Sequence, residues 1–406
     1  MKAGNKQKTR SANSTLAIVT VSHMMQHIFL GTSVLFPLII SELKLSYAEF
    51  GLAVALSTFI GGLFQLVPSI ISRRVARHVI LGVGNILLSV GTFLTGISHG
   101  ILDFLGARTL SNVGTSPTHP MGTAIISGKF EDEKIGWAIG IHYGLAYIGN
   151  IIGPLLMTFL AVAFNWRVSL FVFSVPCLIV GITMIWYLSE GKKMTYGKES
   201  NTTSLKSDVV GILKTKGVLS LLLAQILFAG AIDINLLTTY TPIFLTSVLK
   251  LNTVGSGIFY TIELSGGIFG PLILGRIGAK RGYIKTAVFS TTAAVTSVVL
   301  LSFYSSANLV LAVHLFLLGF FCFSFTTLAQ SHLIQITAKS SRDLAVGIYF
   351  TCLFSAYSLW VAIMGYMIDI YSSFLPAFIL MGVLGATGII VLVAQVKNTG
   401  PKPNVE

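Results

Sequence analysis

Charge is what this 406-residue chain has least of: Asp, Glu, Lys and Arg together make up 10% of it. Soluble domains carry about 25%, which excludes a water-facing surface over the whole chain. Cysteine is also scarce. Cys177, Cys322 and Cys352 each lie in an apolar run without metal or redox spacing, which excludes a disulfide framework and leaves three small packing residues. No Gly-x-x-x-x-Gly-Lys-Ser/Thr loop occurs, so this chain has no nucleotide site from which to draw energy. No nucleophile–base or metal-ligand spacing survives inspection either, so neither an enzyme nor a cofactor is expected. Acids are outnumbered, 14 against 27 Lys and Arg. This excess is not a nucleic-acid surface, because the basic residues sit in short segments between apolar runs, as membrane topology requires.

What the chain does have is hydrophobic residues, 53% of the total, in runs near the roughly 20 residues that cross a bilayer core. The breaks between runs predict twelve spans, near 15–41, 46–70, 79–97, 101–127, 135–163, 168–188, 217–247, 253–274, 283–304, 307–332, 343–369 and 373–395. The first run follows Lys2, Lys6, Lys8 and Arg10 but is too long for a signal-peptide core, so it is expected as a permanent span. With the N-terminus in the cytoplasm, 23 basic residues fall inside and three (Lys44, Arg167, Lys250) outside, while Arg108 lies within a span. That asymmetry predicts an even number of spans and both termini cytoplasmic, in an inner or plasma membrane.

The connections repeat. Pro68-Ser-Ile-Ile-Ser-Arg73-Arg-Val-Ala-Arg77 after span 2 is echoed 203 residues on by Pro271-Leu-Ile-Leu-Gly-Arg276-Ile-Gly278-Ala-Lys280-Arg281 after span 8. A second echo pairs Trp137-Ala-Ile-Gly-Ile141 with Leu344-Ala-Val-Gly-Ile348. The reading is an all-α membrane protein of two six-helix halves, 1–188 and 217–406, joined by a solvated, flexible linker at 189–216.

These loops resemble those of the major facilitator superfamily, whose Gly-x-x-x-Asp-Arg-x-Gly-x-Arg-Arg motif lies between spans 2 and 3 and recurs between spans 8 and 9. Arg276, Gly278, Lys280 and Arg281 match the second copy, and Arg73 and Arg77 the first, with Ser72 at the acidic position. Gly140, Gly149, Gly153 and Pro154 fit the Gly-x8-Gly-x3-Gly-Pro pattern of the family's proton antiporters, with Met157-Thr158 replacing its terminal glycines. Ser116-Pro-Thr-His119-Pro120 and Ser22-His23 are similar to the fosmidomycin-resistance type of exporter. The resemblance implies the two-bundle fold, a gating role for the loop residues, and an antiport role for span 5. The same glycines also read as small-x-x-x-small pairs (Gly140/Gly144 and Gly149/Gly153) for close helix approach.

Ionisable side chains inside a membrane are functional candidates. Arg108 shares a helix face with Ser111, Asn112, Thr115 and His119. It is read as binding an anion or substrate or acting on a nearby acid, or else as a structural salt bridge. Asp233 and Glu263 fall mid-span. Burial disfavours an ionised carboxyl, so either can carry a proton, unless one is paired for packing. Gln225 and Tyr240 fall on the face of Asp233, and Tyr260 on that of Glu263. His23 and His27, four apart, suit proton relay or substrate binding, as do His119, between Pro117 and Pro120, and His142. The expectation is proton-driven export of a small organic compound by alternating access, functional as a monomer. Proton-linked uptake or exchange of a small organic anion is the alternative, and an intramembrane enzyme or sensor a remote one.

Overall fold

A computed structural model describes residues 11–72, 74–130, 132–188, 205–338 and 341–398. Span 1 consists of α1 (Ala12–Leu30), a 3-10 turn (Gly31–Leu35) and α2 (Phe36–Glu42). Span 2 is α3 (Tyr47–Leu63) and α4 (Val67–Ile71), and span 3 is α5 (Arg77–Gly96). Span 4 is α6 (Ile101–Thr115) and α7 (Thr118–Ser127), span 5 is α8 (Asp132–Ala146) and α9 (Gly149–Ala163), and span 6 is α10 (Trp166–Tyr187). After α11 (Leu205–Lys214), span 7 is α12 (Val218–Ala229) and α13 (Ile234–Ser247). Spans 8 to 12 are α14 (Thr253–Arg281), α15 (Tyr283–Leu301), α16 (Leu309–Ile336), α17 (Arg342–Tyr371) and α18 (Leu375–Asn398). Among the described residues, ten stretches are long and apolar enough to cross a membrane; spans 2 and 4 are built from shorter pieces. Leu309, Trp186, Phe303 and Phe159 stand 66–80% exposed on the outside. Such large apolar side chains are stable against lipid, where helices also satisfy every backbone hydrogen bond internally.

Two expectations need correction. α14 runs through the residues expected as the loop after span 8, and the reversal into α15 is made by Gly282 alone, at φ 98°. That is a conformation glycine adopts without steric cost. The second half of the linker is not a flexible tether: α11 is helical, buries Ile212 and packs on spans 7 and 11. Residues 189–204, and Arg73 in the first loop, lie outside the described residues.

The halves repeat in three dimensions. The most extensive contacts between them are span 2 against span 11 and span 8 against span 5, two pairs that exchange if span n is matched to span n + 6. The turns repeat as well. Span 1 ends on Lys44 at φ 52° and span 7 on Lys250 at φ 55°. Each is followed by Leu and then a capping residue, Ser46 or Asn252, whose side chain accepts from the backbone N–H three residues on.

At this Lys44 end the bundle is tied together. Glu42 pairs with Arg167 at 2.9 Å and accepts from the Trp166 indole, and Arg167 donates to the Gly96 and Ser98 carbonyls at 2.8 Å, joining spans 1, 3 and 6. Asp369 at the end of span 11 accepts from the Tyr47 and Ala48 amides at 3.0 and 2.6 Å, which joins the halves.

Candidate functional site

Arg108 sits on α6, half-buried between the rings of Phe29 and Phe36, 4.8 and 5.2 Å from their centroids. Its Nη1 donates to Thr32 Oγ1 at 3.4 Å, and its Nε is buried without a partner. Among the described residues the carboxylate–guanidinium ion pair is Arg167–Glu42, so the structural salt bridge considered for Arg108 is not formed there. Two aromatic faces stabilise its charge without neutralising it. The side chains that hold this geometry meet at the 3-10 turn of span 1, where Gly31 lies so close to span 5 that an added Cβ would stand 2.5 Å from the Gly153 and Pro154 backbone.

The two intramembrane acids differ in their company. Asp233 does not lie within a continuous helix: span 7 breaks after Ala229, and Asp233 caps α13, its Oδ1 accepting from the Asn235 backbone N–H and side-chain amide at 2.9 Å each. A helix N-terminus favours a negative charge, so this carboxylate is supplied with donors. Because 3.6-residue periodicity does not cross the break, Gln225 and Tyr240 do not serve Asp233. Gln225 accepts from the Tyr349 hydroxyl, and Tyr240 donates to the Val361 carbonyl.

Glu263 is wholly buried on α14. Thr241 donates to its Oε1 at 3.3 Å, and its Oε2 has no partner. A carboxylate there bears a desolvation cost that its surroundings do not offset, so the site suits the proton-bound acid. Tyr260, one turn away, donates to the Leu30 carbonyl of span 1 at 3.2 Å and stands within electrostatic reach of both Arg108 and Glu263. Tyr357 of span 11, bonded to Thr239 at 3.0 Å, stands likewise within electrostatic reach of Arg108 and Asp233. Tyr357 was not anticipated. Its polar flanks, Ser355 and Ser358, were the available signal.

The four histidines expected on spans 1, 4 and 5 converge. The rings of His27, His119 and His142 lie 4.9, 5.0 and 4.6 Å from that of His23. Tyr143 and Tyr147 close the group at 5.1 and 4.9 Å from His23 and His27, and Phe350 of span 11 stacks on His119 at 6.0 Å. Asn150, also missed in the sequence, binds His27.

The remaining candidates separate. Asn112 donates to Ser57 at 3.2 Å on span 2, while Ser111, expected on the Arg108 face, is fully buried against span 3. Gly149 and Gly153 do admit span 1: a Cβ at either would stand 2.7 Å from a span-1 carbonyl oxygen. Gly140 and Gly144 are not at a tight crossing, since a Cβ there meets nothing within 4 Å. Pro154 is buried in α9, Gly278 is packed on Leu328 and Tyr283, and Arg276 and Arg281 are exposed at the end of α14.

Twelve membrane helices in two like halves, with ionisable groups gathered where those halves meet, define a secondary transporter rather than an enzyme. The chain belongs to the Major Facilitator Superfamily, whose model matches residues 16–327 and 265–406. It is 22% identical over 382 residues to a probable L-galactonate transporter of Escherichia coli, covering 88% of this chain and 83% of that protein. It is 24% identical over 394 residues to a hexuronate transporter of Bacillus subtilis, covering 91% of each. A shorter match, 24% identical over 168 residues, covers 41% of this chain and 42% of the multidrug resistance protein MdtL of Vibrio parahaemolyticus. Among solved structures, a variant of the nucleoside transporter NupG superposes with a TM-score of 0.79 at 12% identity, covering 95% of this chain and all of that one. That likeness concerns the fold.

Proposed function

We propose that the chain couples a small organic anion to a proton by alternating access, with Arg108 holding the anion and Glu263 the proton. The observation that carries this reading is the Arg108 guanidinium, which has an unpartnered Nε and no carboxylate bound to it among the described residues. A planar cation with free donors is the usual means of gripping a carboxylate. Two relatives matched over more than four fifths of their length are, by their names, a probable L-galactonate transporter and a hexuronate transporter, and both named cargoes are carboxylates. Glu263 is preferred over Asp233 as the proton carrier because its Oε2 is bare, whereas the Asp233 carboxylate is engaged as a helix cap.

The proposed orientation, with both termini in the cytoplasm of an inner or plasma membrane, is supported by the charge asymmetry of the connections. The tied Lys44 end then faces outward, and this conformation is closed to the outside. Each chain holds both halves of the site, so a monomer is sufficient. Export by proton antiport remains the second reading, supported by the Gly149, Gly153, Pro154 packing and the multidrug relative.

Purified protein in liposomes, energised by a proton gradient, tests the first reading with galactonate, hexuronates and a panel of other organic acids. Accumulation that disappears in Arg108→Ala is the expected result. Accumulation unaffected by Arg108→Ala refutes it. Right-side-out against everted vesicles then separates uptake from export.

A further inference from the structure

We infer that the histidine cluster of the N-terminal half is a second proton site, distinct from Glu263, with His23 at its centre and room for one proton. Of the chain's eight histidines, four meet here, brought from three spans. His23 is fully buried, and the other three rings surround it within 5.0 Å.

The hydrogen bonds say where the proton goes. Asn150 Oδ1 lies 2.9 Å from His27 Nδ1, so that nitrogen carries the hydrogen and donates. The other nitrogen of His27 then presents a lone pair to His23 Nε2, 3.3 Å away, and His23 donates through Nε2. What is left is the Nδ1 of His23, a lone pair on a neutral imidazole, buried and without a partner. It is the open valence of the network.

The groups facing His23 and His27 account for a capacity of one. α7 contributes His119; α8 contributes His142, whose Nδ1 lies 3.4 Å from Thr20, and Tyr143. Tyr147 comes from the break in span 5, Asn150 from α9, and span 11 offers the uncharged ring of Phe350 over His119. The charged neighbours of these imidazoles are one another, and no carboxylate binds them among the described residues. Burial without a counterion makes an imidazolium costly in the closed arrangement, so one proton enters, spread through the His23–His27 bond, when movement of the halves uncovers the cluster. A second, within about 5 Å of the first, meets unscreened repulsion in a low-dielectric setting.

Access follows from position. His119 is half-buried beneath Phe350 of span 11, so movement of the halves alters what covers it and, through it, the His23 ring it touches. This inference concerns proton binding and does not depend on which anion is carried.

The test is proton uptake by the purified, detergent-solubilised full chain in weakly buffered solution without cargo, beside histidine-selective 15N spectra of the wild type. Glu263→Gln is expected to remove one proton from the uptake curve and His23→Gln a different one, and the pair both. The spectra are expected to show one added proton shared between two rings. Uptake identical in His23→Gln and wild type overturns the inference. So do spectra in which all four rings stay neutral across the pH range of transport, a readout that needs no variant to fold. Failure of organic acids to be transported leaves this measurement intact and refutes only the proposed cargo.

Discussion

Asp369 is the most informative single residue at the tied end. Its two carboxylate oxygens accept from the Tyr47 and Ala48 amides at 3.0 and 2.6 Å, across the boundary between the halves and onto the first turn of α3. The Ser46–Glu49 capping box already serves other donors of that turn, so Asp369 caps α3 from the opposite half. Asp369→Asn keeps one acceptor oxygen and the side-chain shape but removes the charge that both amides and the helix terminus favour. Hydrogen bonds to a charged group contribute about 1.5–3 kcal/mol; because Asp369 is half-buried, the pair together is assigned that range rather than twice it. A bias of that size shifts the equilibrium toward the state open at the Lys44 end by roughly 10- to 150-fold. Spin labels at Ser41 and Tyr371, exposed and one in each half, read the distance distribution in a cysteine-free background. A longer-distance population that grows by that factor in Asp369→Asn is expected. An unchanged distribution refutes the latch and the assignment of this end as a moving gate.

Three further outcomes follow from the same geometry. Glu263→Gln is expected to abolish gradient-driven accumulation while retaining cargo exchange, whereas Asp233→Asn is expected to lower thermal stability by about 0.5–2 kcal/mol through loss of a cap with coupling intact; the pair of assays in liposomes and by thermal melting separates them. Arg108→Lys keeps the charge but not the planar fork, so the apparent KM for cargo is expected to rise about 10-fold or more, measured by initial rates. Gly319→Ala places a Cβ 1.8 Å from the Glu263 carbonyl, so spans 8 and 10 must separate by roughly 1.2–1.6 Å to regain tolerable contact; a loss of about 1–3 kcal/mol is expected from chemical denaturation, with coupling disturbed beyond that of a distant glycine variant.

The spans were legible because each needs only length and apolar character, and the halves because their basic loops recur. The breaks inside spans were less so. Gly230-Ala-Ile before Asp233 is apolar and proline-free, so nothing in the local pattern announces that the helix restarts there, and the face drawn through Gln225, Asp233 and Tyr240 fails at that point. Gly140 and Gly144 have the spacing of a packing pair, but which face of α8 meets a neighbour is decided by the bundle. His23, His27, His119 and His142 were each visible as costly intramembrane groups. Their convergence was not, since it depends on spans 1, 4 and 5 meeting at one level. Arg108 was visible as an intramembrane cation, whereas its place between Phe29 and Phe36 was beyond the reach of a helical wheel.

The most direct measurement is uptake of a panel of radiolabelled organic acids into liposomes carrying the purified wild type, with and without an imposed proton gradient. The account predicts that at least one small organic anion accumulates above equilibrium only when the gradient is present, and that the gain collapses when it is dissipated. Accumulation of an anion at the same level without a gradient, or gradient-driven movement confined to uncharged or cationic compounds, would contradict it.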